Sequence, residues 1–334
     1  MSAVDTERPL LEVKGLSTWF HTRDGIVKAV DGVSFEVRRG EVLGLVGESG
    51  CGKSVTSLSI MQLVPKPGRN EGGEVLFDGK NLLDMPHREL EGLRGERISM
   101  IFQQPQSSLN PVTSVGVQIS EVFEIHRRMR RRVGKKRAAE LLARVGIPDA
   151  TERIAAFPHE FSGGMAQRVM IAMALALKPE LLIADEPTTA LDVTIQAQIL
   201  DLMRDLQREE GTAVILITHD LGVVAEMADR VAVMYAGEIV EEAETEALFA
   251  DPKHPYTQGL IDSIPVLGKV TGELDVIPGN VPNLVDLPVG CRFADRCRAR
   301  VENELKICTE QRPELIQIGE KRTVRCFLYQ EGAE

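Results

Sequence analysis

The octapeptide Gly47-Glu48-Ser49-Gly50-Cys51-Gly52-Lys53-Ser54 follows directly on the apolar run Val42-Leu43-Gly44-Leu45-Val46, and no other stretch constrains the fold as strongly. Its spacing is that of a GxxxxGK[ST] phosphate loop, which sits between a strand and a helix. Glycines there let successive backbone N–H groups turn inward around phosphate oxygens. Lys53 adds a mobile positive charge for the β- and γ-phosphates, and the Ser54 hydroxyl is suited to ligate Mg²⁺. An ordinary glycine-rich turn has no need of this register. The expected nucleotide-binding set therefore runs from Gly47, Glu48, Ser49, Gly50, Cys51, Gly52, Lys53 and Ser54 to Val55.

Such a loop needs a buried sheet around it. Four further short runs rich in Val, Ile and Leu supply one: Ile98 to Phe102, Leu181 to Ala184, Val214 to Ile217 and Val231 to Tyr235. Runs of this kind read as strands covered on both faces. Helical-period stretches such as Ala166 to Leu177 and Gln196 to Gln207 separate several of them, which predicts an α/β fold with a mostly parallel core sheet. Leu11 to Glu41 alternates more strictly and predicts an antiparallel N-terminal sheet. Between Pro105 and His159 there is no strand signal, so a helical subdomain is expected over about 104–180. From Asp251 onward prolines recur, and four of the five cysteines gather between Cys291 and Cys326. A chain of 334 residues has room for about two domains. A boundary near residue 250 would divide it into a nucleotide-binding part, 1–250, and a C-terminal extension, 251–334.

Composition narrows the function. The net charge of −11 makes a general nucleic-acid partner a poor expectation, since a basic footprint is the usual requirement. Aromatic residues, at 4%, are too few for single-strand stacking platforms. No stretch reaches the roughly 18 uncharged apolar residues needed to span a bilayer. Met1 to Leu10 lacks the apolar segment of a signal peptide. A soluble cytosolic chain is expected, whose membrane role, if it has one, comes through a partner.

Two further elements carry chemistry. Asp185-Glu186 follows the run Leu181 to Ala184, at the carboxyl end of a predicted strand, where open α/β sheets bind ligands. Asp185 is suited to hold Mg²⁺ and Glu186 to polarise an attacking water. Taken alone, the pair also reads as a helix N-cap. Phe161-Ser162-Gly163-Gly164-Met165 opens a helical stretch, and its exposed N–H groups at the positive end of the dipole offer a second anion site. A plain capped helix is the bland alternative.

With Ser162-Gly163-Gly164 about twenty residues before Asp185, the sequence resembles the ATP-binding cassette (ABC) family, whose signature is LSGGQ. Phe161 and Met165 stand where that family has leucine and glutamine. The resemblance implies roles at further positions. Gln103 matches the glutamine that contacts Mg²⁺ and the water site, Ala190-Leu191-Asp192 the D-loop, and His219 the switch histidine near the γ-phosphate. Phe20, or less well its neighbour Trp19, matches the aromatic residue that stacks on adenine. Glu186, His219 and Gln103 are then the expected catalytic residues. Ser54, Gln103 and Asp185 are the expected Mg²⁺ ligands, and Asp192 joins the nucleotide-binding set. The resemblance implies an ABC-type P-loop fold for residues 11 to 250. It also implies that the signature of one cassette completes the ATP site of another, so a chain with one loop and one signature works as half of a dimer.

Three classes then compete: a transporter ATPase, a soluble DNA-repair or translation cassette, and a cluster-bearing sensor. The stretch between Lys53 and Ser162 is too short for the coiled coil of DNA-repair cassettes, and a second cassette, usual in translation types, is absent from the chain. His254-Pro255-Tyr256-Thr257, Ile277-Pro278-Gly279 and Cys291-Arg292-Phe293-Ala294-Asp295-Arg296-Cys297 resemble the extension of dipeptide and oligopeptide importer ATPases. Ser107-Ser108-Leu109-Asn110-Pro111 after Pro105 fits the same group. Related importers carry nickel, glutathione or oligosaccharides. The implied partners are a second cassette subunit (or a second copy of this chain), two permease subunits at the cytoplasmic face of the membrane and, indirectly, an extracytoplasmic peptide-binding protein. Spacings of x₅, x₁₀ and x₁₇ between Cys291, Cys297, Cys308 and Cys326 match neither a zinc ribbon nor a ferredoxin run, leaving unligated thiols and a four-thiolate site both open. The family resemblance implies a [4Fe-4S] cluster on these four. Eight Lys or Arg between Arg127 and Arg137 form a local basic run, read as a solvated helix face or as a contact for anionic lipid or a permease.

Overall fold

A computed structural model describes residues 8–188, 193–263 and 277–330. In chain order the strands are β1 Leu11–Thr22, β2 Gly25–Val37, β3 Val42–Val46, β4 Gly68–Phe77, β5 Lys80–Asn81 and β6 Ile98–Ile101. They continue with β7 Leu181–Asp185, β8 Ala213–Ile217, β9 Arg230–Tyr235, β10 Glu238–Glu244, β11 Ile316–Gly319 and β12 Arg322–Val324. The chain divides into two compact units, one built mainly from Asp84–Ile217 and the other from Leu11–Glu36, Val42–Leu83 and the chain from Thr218 onward. All five apolar runs of the sequence form strands.

In the unit of Asp84–Ile217, β6, β7 and β8 are parallel, with β7 central; Ile98 pairs with Leu181, and Leu181 with Ala213. Every residue of the three strands is buried, as apolar strands covered on both faces must be. The insertion is helical as expected, with main helices at Val115–Arg127 and Arg131–Arg144. Glu180, at the head of β7, accepts a hydrogen bond from Arg39 at 2.7 Å and from Arg97 at 3.0 Å. Bonding to Arg97 holds its carboxyl below the usual range.

The other unit holds an antiparallel sheet in the order β2-β1-β4-β5, with Leu11 opposite Phe77 and Val13 opposite Val75. Its second set of strands begins with β3 and β9 in parallel, Leu43 opposite Arg230 and Val46 opposite Val233. From there β10, β12 and β11 follow in antiparallel pairs. β10 has the acid-rich sequence EIVEEAE, which gives no strand signal, yet Glu238 is 2% and Glu241 0% exposed. Burial of these acids is possible because the extension neutralises them. Arg312 Nε donates to Glu238 at 2.7 Å, and Arg322 donates to Glu241 at 2.7 Å. The backbone N–H groups of Lys253 and His254 donate to Glu241 at 2.9 and 2.8 Å. A buried charge is tolerated when it is paired and hydrogen-bonded in this way.

Beside these pairs Tyr235, Tyr256 and Phe293 pack ring against ring at centroid distances of 4.6 to 5.4 Å, in one core with Val46, Val231 and Val233. His254 joins them as the N-cap of helix Pro255–Asp262, its Nδ1 accepting from Tyr256 N–H at 3.0 Å. Burial lowers its pKa from the ordinary 6.5 to about 3. Between those values the unfolded chain binds a proton that the folded chain refuses, so stability falls as pH drops through that window. Asparagine also caps helices but does not titrate. In denaturant melts at stepped pH, His254→Asn is therefore expected to flatten the acid loss of stability by a few kcal/mol.

No helix among the described residues is long and apolar enough to cross a membrane.

Candidate active site

The phosphate loop leaves the end of β3 and runs into helix Lys53–Ile60. Gly47 and Gly52 adopt φ values of 149° and 107°, in the region that favours glycine. A Cβ on Gly47 would stand 2.1 Å from the Met234 carbonyl oxygen, and one on Gly52 2.2 Å from that of Ala29. The loop can pass between these carbonyls only as glycine. Lys53 is 5% exposed, and its Nζ donates to the carbonyls of Gly47 at 2.7 Å and Glu48 at 2.9 Å. The ammonium thus spans the loop it serves. Ser49 and Gly50 are exposed; Ser54 and Val55 are half-buried. Cys51 is buried, and burial pushes its thiol up, so it packs as a neutral side chain. Its carbonyl accepts from Gly237 N–H at 2.8 Å.

Phe20 and Trp19 lie in the same unit, on opposite faces of β1. Phe20 is half-buried opposite Gly68. Trp19 has Lys28 Nζ 4.7 Å from its ring centroid. His219 is exposed just past β8, and the next residue, Asp220, caps helix Leu221–Met227 by accepting from Gly222 and Val223 N–H at 2.9 and 3.2 Å.

The carboxylates lie in the unit of Asp84–Ile217. Asp185 ends β7 and is 4% exposed. Glu186 follows with φ 47°, a left-handed turn that takes its side chain off the strand line. Its N–H donates to Ile217 O at 2.9 Å. Because Ile101 pairs with Ala184, the residues just past β6 and β7 emerge side by side. Gln103 Nε2 accordingly donates to Glu186 Oε2 at 2.8 Å. Two residues picked out separately in the sequence are thus joined.

Ser162 is the N-cap of helix Gly163–Ala174, and its hydroxyl accepts from Met165 N–H at 3.3 Å. No acid occupies the first turn, so the exposed Ser162 and Gly163 and the half-buried Gly164 sit at the positive end of the dipole. The backbone of Met165 serves in the cap, while its side chain brings no amide. Phe161 is buried, with Arg153 stacked 6.0 Å over its ring. Ala190, Leu191 and Asp192 lie outside the described residues.

The expected [4Fe-4S] site is corrected by the structure. Among the described residues no group of Cys, His, Asp or Glu side chains is arranged to hold a metal ion. Cys291, Cys297, Cys308 and Cys326 are free thiols around a cavity of only ≈ 10 Å³, shared with Phe293, Leu305 and Phe327. That space holds about one water. Without a metal, burial pushes the Cys291 and Cys326 thiols up to about 12. Cys308 and Cys326 are buried and Cys291 and Cys297 half-buried, and they pack as small apolar side chains.

In the basic run Arg127 pairs with Glu96 and Arg137 with Glu140, both at 3.1 Å, as on a solvated helix face. Sequence reasoning missed two partners of the phosphate loop: Tyr256, whose hydroxyl accepts from Glu48 N–H at 2.8 Å, and Arg296, which pairs with the Glu48 carboxylate. Both lie more than two hundred positions along the chain from it, and no local signal marks them.

Comparison with known proteins identifies the family. A family model for ABC transporters matches residues 30–189, and one for the C-terminal region of oligopeptide/dipeptide transporters matches residues 240–303. The chain is 53% identical to the oligopeptide transport ATP-binding protein OppD of Bacillus subtilis, over 97% of this chain and 90% of that one. It is 49% identical to the dipeptide transport ATP-binding protein DppD of the same organism, over 97% and 96%. Among solved structures it is similar to the dimeric bacterial ABC transporter cassette MJ0796, with TM-score 0.64 and 30% identity over 70% of this chain and 98% of that one. The same cassette has also been solved after hydrolysis with ADP and Pi, at TM-score 0.64 and 29% identity over 70% and 98%. With close likeness along nearly its whole length, this chain belongs to the ABC transporter family, among the oligopeptide and dipeptide transport ATP-binding proteins.

Proposed function

We propose that the chain hydrolyses ATP to drive import of di- or oligopeptides, as half of a cassette dimer seated on permease subunits at the cytoplasmic face of the membrane. The hydrogen bond of Gln103 to Glu186, next to the buried Asp185, carries the catalytic reading, because it sets a general base beside a group able to report on its surroundings. In this reading Lys53 and the N–H groups of the loop hold the phosphates. Ser54, Gln103 and Asp185 are the residues that would hold Mg²⁺, which would supply charge neutralisation on the transferring phosphoryl group. Glu186 takes the proton of the attacking water, and His219 donates toward the γ-phosphate. Phe20 stacks on the adenine. Ser162, Gly163 and Gly164 offer their helix N-terminus to the phosphates of the partner's nucleotide. The preference for peptide over nickel, glutathione or oligosaccharide follows the names of the relatives. A groove of 300 Å³ lined by Met100, Phe102, Leu109, Ile125, Met170 and Met173 gives the helical subdomain an apolar face for a permease segment.

Concentration tests the dimer. Specific ATPase activity is expected to fall steeply on dilution through the dimer dissociation range, and full activity in a strictly monomeric species overturns the reading. With the permease pair in proteoliposomes, short peptides and not Ni²⁺ should be taken up at the expense of ATP. Ni²⁺ uptake without peptide uptake sinks the substrate assignment.

A further inference from the structure

Glu48 is the acidic residue of the phosphate loop, and a carboxylate there opposes the approach of a polyphosphate. The structure covers that charge from the C-terminal extension. Arg296 Nη1 donates to Glu48 Oε2 at 2.7 Å and Nη2 to Oε1 at 2.9 Å, a two-pronged pair. The guanidinium is itself held in place. Its Nε donates to Pro278 O at 2.8 Å, Nη1 reaches the Tyr235 hydroxyl at 3.3 Å, and the rings of Tyr235 and Phe293 lie 5.8 and 5.9 Å away. Arg296 is buried while Glu48 is partly exposed, so the positive partner is rigid and the loop residue is the one it fixes. The backbone of Glu48 is pinned as well, its N–H donating to Tyr256 Oη and its carbonyl accepting from Lys53 Nζ. Through this single residue the extension touches the lysine that meets the phosphates.

We propose that Arg296 is a positioning residue for ATP binding: it cancels the Glu48 charge beside the incoming polyphosphate and fixes the stretch of loop whose carbonyl holds Lys53. The proposal rests on the reading of Gly47–Ser54 as the phosphate site. A merely structural Arg296 would staple the extension in place, and its loss would lower stability without touching nucleotide affinity.

Steady-state ATPase kinetics of the full-length chain distinguish the two. Arg296→Ala is expected to raise KM for MgATP about tenfold with a much smaller change in kcat, because the partly exposed Glu48 carboxylate is then left uncancelled beside the incoming polyphosphate. Salt screens a charge that faces solvent, so the defect shrinks as ionic strength rises from about 0.05 M to about 0.5 M. Arg296→Lys keeps the charge but not the fork and falls between. The double variant E48Q/R296A, with neither charge, recovers most of the KM. A KM within about twofold of wild type in folded R296A overturns the proposal, as does a defect that E48Q/R296A retains in full. Should R296A fail to fold, the neutral but bulkier R296M against E48Q/R296M makes the same comparison. Lys53→Ala is the control: if it loses nucleotide while R296A does not, only Arg296 is refuted. If Lys53→Ala binds MgATP as wild type does, the phosphate-site reading itself fails.

Discussion

Glu186→Gln is expected to lower ATP turnover by about 10²–10⁴-fold while ATP affinity stays within about twofold of wild type. Glutamine matches glutamate in size and keeps an oxygen that can accept from Gln103 Nε2, the bond that measures 2.8 Å in the parent. What it loses is the capacity to take a proton. Because the positive φ of Glu186 and its N–H bond to Ile217 O belong to the backbone, the substitution leaves the turn that aims the side chain intact. The result to look for is a fall in kcat with binding preserved, read from single-turnover hydrolysis beside equilibrium titration with ATP. Unchanged turnover would remove Glu186 from the role of base. A parallel loss of affinity would recast it as a binding residue.

Gly47→Ala should be nearly as severe, by another route. The added methyl meets the Met234 carbonyl oxygen at 2.1 Å and Cys51 Sγ at 2.9 Å, with φ at 149°. Both obstacles lie in the packed interior: Met234 is on the fully buried β9, and Cys51 is buried in the loop. Overpacking plus backbone strain should cost roughly 3 kcal/mol or more, with MgATP binding lost as the loop is pushed out of register. Gly50→Ala is the matched comparison. It also has positive φ, 80°, but nothing stands within 4 Å of its Cβ, so strain of about 1–2 kcal/mol is all it should feel. Equal unfolding midpoints for the two variants would mean that the close passage of the loop does not govern its stability.

How much of this could be read in advance depended on where the partner groups lie along the chain. β3, β6, β7, β8 and β9 were legible because strands buried on both faces leave an unbroken apolar run. The cap at Ser162 and the loop at Gly47–Ser54 were legible because their chemistry is local. β4 and β10 were not. GRNEGGEVLF is a strand because β1 pairs with it, and EIVEEAE can be buried because arginines some eighty positions later neutralise it. A local pattern carries neither fact. The same limit hid the 248-residue separation between Glu48 and Arg296. For the cysteines, spacing reports how far apart thiols are along the backbone and nothing of the room among them. The side chains leave a gap for a solvent molecule rather than for a metal cluster. Glu186 was legible from its place after an apolar run and Gln103 only through resemblance to a family; the cause of their pairing, the register of β6 on β7, belongs to the sheet.

The acids of β10 have a consequence for anyone wishing to shorten this protein. Cutting the chain after helix Thr245–Ala250 would take away Arg292, Arg312, Arg322 and Arg325, which neutralise Glu238 and Glu241. Glu238 and Glu241 would then lose these partners, and the core that Tyr256 and Phe293 complete around Tyr235 would be opened. The tail is thus no detachable appendage. A minimal ATPase carved from this gene would need β10 redesigned with neutral side chains before it could stand without its last eighty or so residues.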